Sequence, residues 1–165
     1  MHDVTFKTIR AFIGRCLLGF MLVHLGGCSL FGSDSPEPFE IDSFAIVTEL
    51  DANRDSPTAI DVVEIYDAQL KLQIEALNAD QWFSRKTGLL AANSDVLTVT
   101  SWELPPGVSI QDPRWSELGR TPEAIVVFVG LQTGTPNRFE LRSRKGMFRL
   151  IVRSDDYRIV AEDGN

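Results

Sequence analysis

Histidine and cysteine occur only twice each in 165 residues, and three of those four side chains, His2, Cys16 and His24, precede position 28. From Cys28 onward the chain has no histidine and one cysteine. Residues 28–165 therefore cannot supply a Ser-His-Asp or Cys-His catalytic group, a histidine metal ligand, a thiolate zinc site or an internal disulfide. Glycine-rich nucleotide loops and the H-E-x-x-H zinc pattern are missing too. A carboxylate-only hydrolase survives these exclusions, because acids are plentiful, yet no spacing isolates a working pair. The chain also lacks an apolar run of the ~20 residues that a membrane-crossing helix needs. Its longest early run, Cys16–Val23 ("CLLGFMLV"), is short.

That short run has a recognisable setting. Lys7, Arg10 and Arg15 precede it against the single acid Asp3, and the small residues Gly26 and Gly27 stand directly before Cys28. A basic region, a short apolar core and a small-residue cleavage site are the three parts of a secretory signal peptide. "Leu25-Gly26-Gly27-Cys28" resembles the bacterial lipobox. The resemblance implies cleavage before Cys28, diacylglycerol on its thiol and a further acyl chain on the new amino terminus. Two or three chains anchor stably where one does so only marginally. Ser29 stands where an aspartate would favour inner-membrane retention, so the outer membrane is the expected destination. The competing reading is an N-terminal membrane helix with a chance cysteine.

Cleavage would remove three bases and one acid, leaving the remainder more acidic than the −7 of the whole chain. The expected organisation is a signal peptide over 1–27, an acylated end and flexible tether over 28–42, and a domain over 43–165. The tether "SLFGSDSPEPFEID" is rich in turn formers and acids. Beyond it the chain reads as short strands: Phe44–Leu50, Ala59–Tyr66, Asp95–Leu104, Ala124–Leu131, Asn137–Arg142, Gly146–Val152 and Tyr157–Ala161. The run "AIVVFVGL" is almost wholly apolar and belongs at the centre of a sheet, buried on both faces. Between the second and third strands lie two helical segments. Leu70, Ile74 and Leu77 share one face of the first. Asn78 and Gln81 form a capping-box pattern for the second, which should end near Gly88. Pro105-Pro106-Gly107 marks a turn, and the stretch from Val108 to Glu123 is mixed in character. Seven strands with a helical excursion predict a mainly β, sandwich-like domain.

A lipobox, a tether, an Asn- and Pro-containing loop, a strand closed by Tyr66, a helical insertion, a Leu104–Gly107 turn and the "VVFVGLQ…NRFEL" hairpin occur here in one order. That order resembles the TssJ family, the outer-membrane lipoproteins of the type VI secretion membrane complex. The resemblance implies a transthyretin-like β-sandwich of about seven strands with a short helical insertion after the second. It also implies a non-catalytic adaptor with no cofactor, whose partner is the periplasmic domain of the inner-membrane protein TssM. By the same resemblance the loop Asn53, Arg54, Asp55, Ser56 and Pro57 contacts that partner; on its residues alone it could equally be an ordinary connection between strands. The alternative function is a periplasmic ligand-binding or envelope-assembly lipoprotein on the same architecture.

Charge is unevenly spread. Asp34–Asp67 holds ten acids and one base, Arg54, whereas Arg138–Arg153 holds six bases and one acid, Glu140. Export, overall acidity and the alternation of these bases with core residues argue against nucleic acid, and no small-molecule substrate is expected. Pairing of these bases with acids of the first two strands is the expected use. Trp82, Phe83 and Trp102 read as core, while Trp115, in the mixed segment, is the one aromatic for which surface exposure competes with a core reading.

Overall fold

The apolar run Ala124–Gly130 forms β5, and every residue from Ala124 to Val129 is buried. Its two faces serve two different cores, which is why the run does not alternate. Ile125, Val127 and Val129 point into the cluster between two sheets. Ala124, Val126 and Phe128 point the other way, into a cluster roofed by helices. The computed structural model describes residues 39–112, 120–133, 137–142 and 144–162. Cys28, Ser29, the tether through residue 38 and Trp115 lie outside them.

Two four-stranded sheets form the sandwich, ordered β4-β1-β7-β8 and β3-β2-β5-β6. The strands are β1 (Glu40–Thr48), β2 (Thr58–Ile65), β3 (Leu97–Leu104), β4 (Ser109–Asp112), β5, β6 (Arg138–Glu140), β7 (Lys145–Val152) and β8 (Tyr157–Glu162). β1 and β7 pair in parallel, with a register shift between Ile41 and Ser43, and the other pairs are antiparallel. Phe44, Ile46, Phe148, Leu150 and Val152 meet β5 in the inner core. The alternation of these β7 residues with the exposed Met147 and Arg149 gives β7 one dry and one wet face, as its sequence predicts.

The helical insertion comprises α1 (Ala68–Glu75) and α2 (Ala79–Ala92). The side chain of Asp67 caps α1 by accepting from Leu70 N at 2.7 Å. At α2 the capping box forms in full: Asn78 Oδ1 accepts from Gln81 N at 2.8 Å and Gln81 Oε1 from Asn78 N at 3.0 Å. Trp82 is fully buried and stacked on Phe128, centroids 4.9 Å apart. Its Nε1 donates to Asp61 Oδ2 at 2.8 Å, and Lys86 Nζ lies 2.9 Å from the same oxygen. The buried carboxylate of β2 thus holds α2 to the sheet, and two donors offset its desolvation.

Several sequence expectations change. Eight strands lie among the described residues where about seven are expected, the additional one being β4 inside the mixed segment. β1 begins at Glu40, inside the stretch read as tether, and ends at Thr48 rather than Leu50. α2 runs past Gly88 to Ala92, because Leu89, Leu90, Ala91 and Ala92 are good helix formers and outweigh one glycine. The bases of 138–153 are deployed variously. Lys145 stands opposite Glu40 of β1, but Arg153 pairs with Asp156 and Arg138 donates to the Glu75 carbonyl. Asp61 of β2 takes Lys86 of α2 instead. No helix among the described residues is long and apolar enough to cross a membrane.

Candidate functional site

The topology collects four connections at one end of the sandwich. β1 ends at Thr48, which pairs with Val152 at the end of β7. β2 starts at Thr58, which pairs with Leu104 at the end of β3, and the next residue, Ala59, pairs with Gly130 at the end of β5. The loop 49–57, the Pro105–Val108 turn, the segment after Gly130 and the β7–β8 turn are therefore neighbours.

Within the loop, Asn53, Arg54 and Asp55 all have positive φ, at 49°, 55° and 58°. Three successive left-handed residues without a glycine are unusual, and each costs about 1–2 kcal/mol relative to a right-handed one. Asparagine tolerates this region better than arginine does. The turn persists because its surroundings hold it. Asn53 is only 2% exposed. Its Nδ2 donates to Pro57 O at 2.9 Å and more weakly to Gly130 O at 3.4 Å, while its Oδ1 accepts from Gln132 N at 2.8 Å. Its backbone N donates to Arg153 O at 2.9 Å. One side chain and its own amide thus tie the loop to the end of β5 in one sheet and to the turn that follows β7 in the other. Gln132 Nε2 donates to Ser56 Oγ at 2.8 Å, and Arg54 Nε to Asp155 Oδ1 at 2.8 Å.

The proline turn is fastened to the same place. Thr48 Oγ1 donates to Pro105 O at 2.7 Å and accepts from Val108 N at 2.9 Å. Gly107, at φ 76°, donates its N–H to the carbonyls of Thr48 and Glu49 at 3.1 and 3.0 Å. A Cβ on Gly107 would meet Leu50 Cδ2 at 3.1 Å, so glycine also makes room for that leucine.

The outward surface of this end is a small apolar point in an acidic field. Leu50 is 87% exposed, more than any other large hydrophobic side chain described. Exposed acids lie on the same loops: Glu49 and Asp51 beside it in sequence, Asp55 further along, and Asp155 and Asp156 on the β7–β8 turn. Arg54 and Arg153 answer two of them, at Asp155 and Asp156. Of the five loop residues expected to face a partner, Arg54, Asp55 and Pro57 are exposed, Ser56 is half-buried and Asn53 is inside. Leu50, Gln132, Asp155 and the Thr48–Gly107 bonds were not anticipated. Leu50 was hidden because it reads as the last apolar position of a strand. The other partners come from distant positions in the chain.

A concavity of about 620 Å³ lies between α1 and β6 and is lined by Glu75, Arg138, Phe139, Glu140 and Arg142. Lys71 bridges Glu75 at 3.4 Å and Glu140 at 3.2 Å. Burial alone would lower the pKa of the Lys71 ammonium, but the hydrogen bond and charge of Glu140, with those of Glu75, raise it above its ordinary value. Among the described residues no group of three or more His, Cys, Asp or Glu side chains is placed to hold a metal ion.

No family model matches the sequence, and no curated protein matches it. The fold does have solved counterparts. The T6SS lipoprotein TssJ1 from Pseudomonas aeruginosa superposes with a TM-score of 0.58 at 13% identity, over 78% of this chain and 100% of that one. Serratia marcescens Lip, a membrane-bound component of the type VI secretion system, gives 0.51 at 15% identity, over 76% and 99%. A chain from a structure described as the T6SS protein TssM C-terminal domain from EAEC gives 0.51 at 11%, over 73% and 97%. The sandwich with its helical insertion is therefore the fold of TssJ lipoproteins.

Proposed function

We propose that this chain is a TssJ-like lipoprotein of a type VI secretion membrane complex, tied to the outer membrane through Cys28 and facing the periplasm. It works as a non-catalytic adaptor. Its loop end captures the periplasmic domain of a TssM-like inner-membrane protein. In this reading residues 1–27 are the signal peptide, Ser29 permits outer-membrane sorting, residues 28–39 are the tether, and the sandwich begins with β1 at Glu40.

The observation that carries the reading is the held loop. A strained left-handed turn clamped to both sheets presents Leu50, Arg54, Asp55 and Pro57 in one conformation, so binding need not order them. The shared fold supports the choice of partner, and the absence of histidine and thiol chemistry beyond Cys28 supports the non-catalytic role. Asn53 acts from inside as the residue that positions the loop. Arg54, Asp55 and Leu50 make the contact, with Ser56 and Pro57 shaping it.

Capture from detergent-solubilised envelopes tests this. Tagged full-length chain should retain the TssM-like protein of the same cell, and the double substitution Arg54→Glu with Asp55→Lys should lose it. Retention by the double variant at the wild-type level would move the contact to another surface.

A further inference from the structure

A sandwich of two open sheets has four edge strands, and three of these are guarded. β4 is only four residues long. β6 is three residues long, carries Arg138 and Glu140, and has the Arg138 carbonyl covered by the Tyr157 hydroxyl at 3.0 Å. β8 carries Arg158 and Glu162. Short length and charge are the usual protections of an open edge.

β3 has neither. It runs for eight residues, "LTVTSWEL", with an unbroken register to β2 from Thr58↔Leu104 to Ile65↔Leu97. It contains no proline, glycine, lysine or bulge, and its one charge is Glu103 near the end. No described strand lies beyond it in the sheet. Thr100 and Ser101 at its middle are exposed.

We infer that β3 is a self-pairing edge, and that two copies of this chain join through antiparallel β3 strands into one continuous eight-stranded sheet. The pairing centres on Thr100. Residues on one face of β3 must oppose residues on the same face of the other copy, so pairs share parity. With Thr100 opposite Thr100, Thr98 faces Trp102, Val99 faces Ser101 and Glu103 faces Leu97. Threonine pairs and aromatic–β-branched pairs stabilise adjacent strands, and no like charges are apposed. Centring on Ser101 instead would bring together the two Lys86 ammoniums, each 2.7 Å from its own Ser101 hydroxyl. The interface is isologous, and the other edges are guarded, so association closes at two copies rather than growing.

Facing residues in an antiparallel pair have Cα atoms about 4.5–5.5 Å apart, within disulfide reach. Full-length Thr100→Cys chain, mildly oxidised in its native envelope, should give a disulfide-linked band at twice the chain mass. Wild type, in which the proposed function removes Cys16 with the signal peptide and acylates Cys28, sets the background, and Glu103→Cys should stay at that background. Two differently tagged full-length copies should co-purify, and Thr100→Lys in both should abolish this. A Thr100→Cys signal no stronger than wild type, or co-purification that survives Thr100→Lys, overturns the inference. So does a cross-linked band at a mass that assigns the edge to a foreign strand.

Discussion

Asn53 occupies a position in which one side chain satisfies three backbone groups and lets two neighbours stay left-handed. Alanine there removes both functions. It leaves the Gln132 N–H and the Pro57 carbonyl without their partner, and each unsatisfied buried group costs about 1–3 kcal/mol. Alanine also fits φ 49° less well than asparagine. Asn53→Ala should lower unfolding stability by about 2–4 kcal/mol in urea titration. By contrast the Arg54–Asp155 pair, with side chains 57% and 64% exposed, is worth under about 1 kcal/mol. Arg54→Ala should leave stability nearly unchanged. This contrast was not legible in "DANRDSP". Composition marks a turn, but which polar side chain turns inward depends on carbonyls and amides supplied by residues 130, 132 and 153. Trp82 and the Asn78–Gln81 box were legible, because their partners lie within a few residues or in the apolar periodicity.

At the scale of elements, α2 and β8 offer two clean tests. Gly88 sits inside α2, exposed, with nothing within 4 Å of an added Cβ. Gly88→Ala should stabilise the protein by about 1 kcal/mol, visible as a rise of a few degrees in Tm. Tyr157 is half-buried against Phe139 and hydrogen-bonded to Arg138 O. Burial raises its pKa above the ordinary 10.0, against the opposing positive charge of Arg138. A raised folded value means its stabilising contribution is complete below about pH 10 and lost as pH climbs through that value. Tyr157→Phe should cost about 1 kcal/mol at pH 8 yet lose less than wild type on going to pH 11, by urea titration at both. β5 was readable because a strand buried on both faces needs no alternation. β4 was not, because four mixed residues become a strand only where Val47 and its neighbours on β1 offer pairing partners.

For the whole molecule, the proposed function sets an attachment point, Cys28, and a docking end, the loops beside Leu50. The fold class was legible from strand number, turn spacing and the helical insertion. The convergence of four loops was not, since it follows from the parallel β1–β7 pairing and the crossing between sheets. If Cys28 carries the lipid, Cys28→Ser should appear folded in the soluble periplasmic fraction, and a variant still sedimenting with membranes would refute that attachment. The adaptor role depends above all on the docking end. It is tested most directly by calorimetric titration of the TssM-like periplasmic domain into detergent-solubilised full-length chain, wild type against Leu50→Asp. Leu50 is 87% exposed, so the substitution leaves the core intact. Saturable binding is expected for wild type and at least a tenfold weaker Kd for Leu50→Asp, about 1.4 kcal/mol. Equal affinities for the two proteins would contradict it.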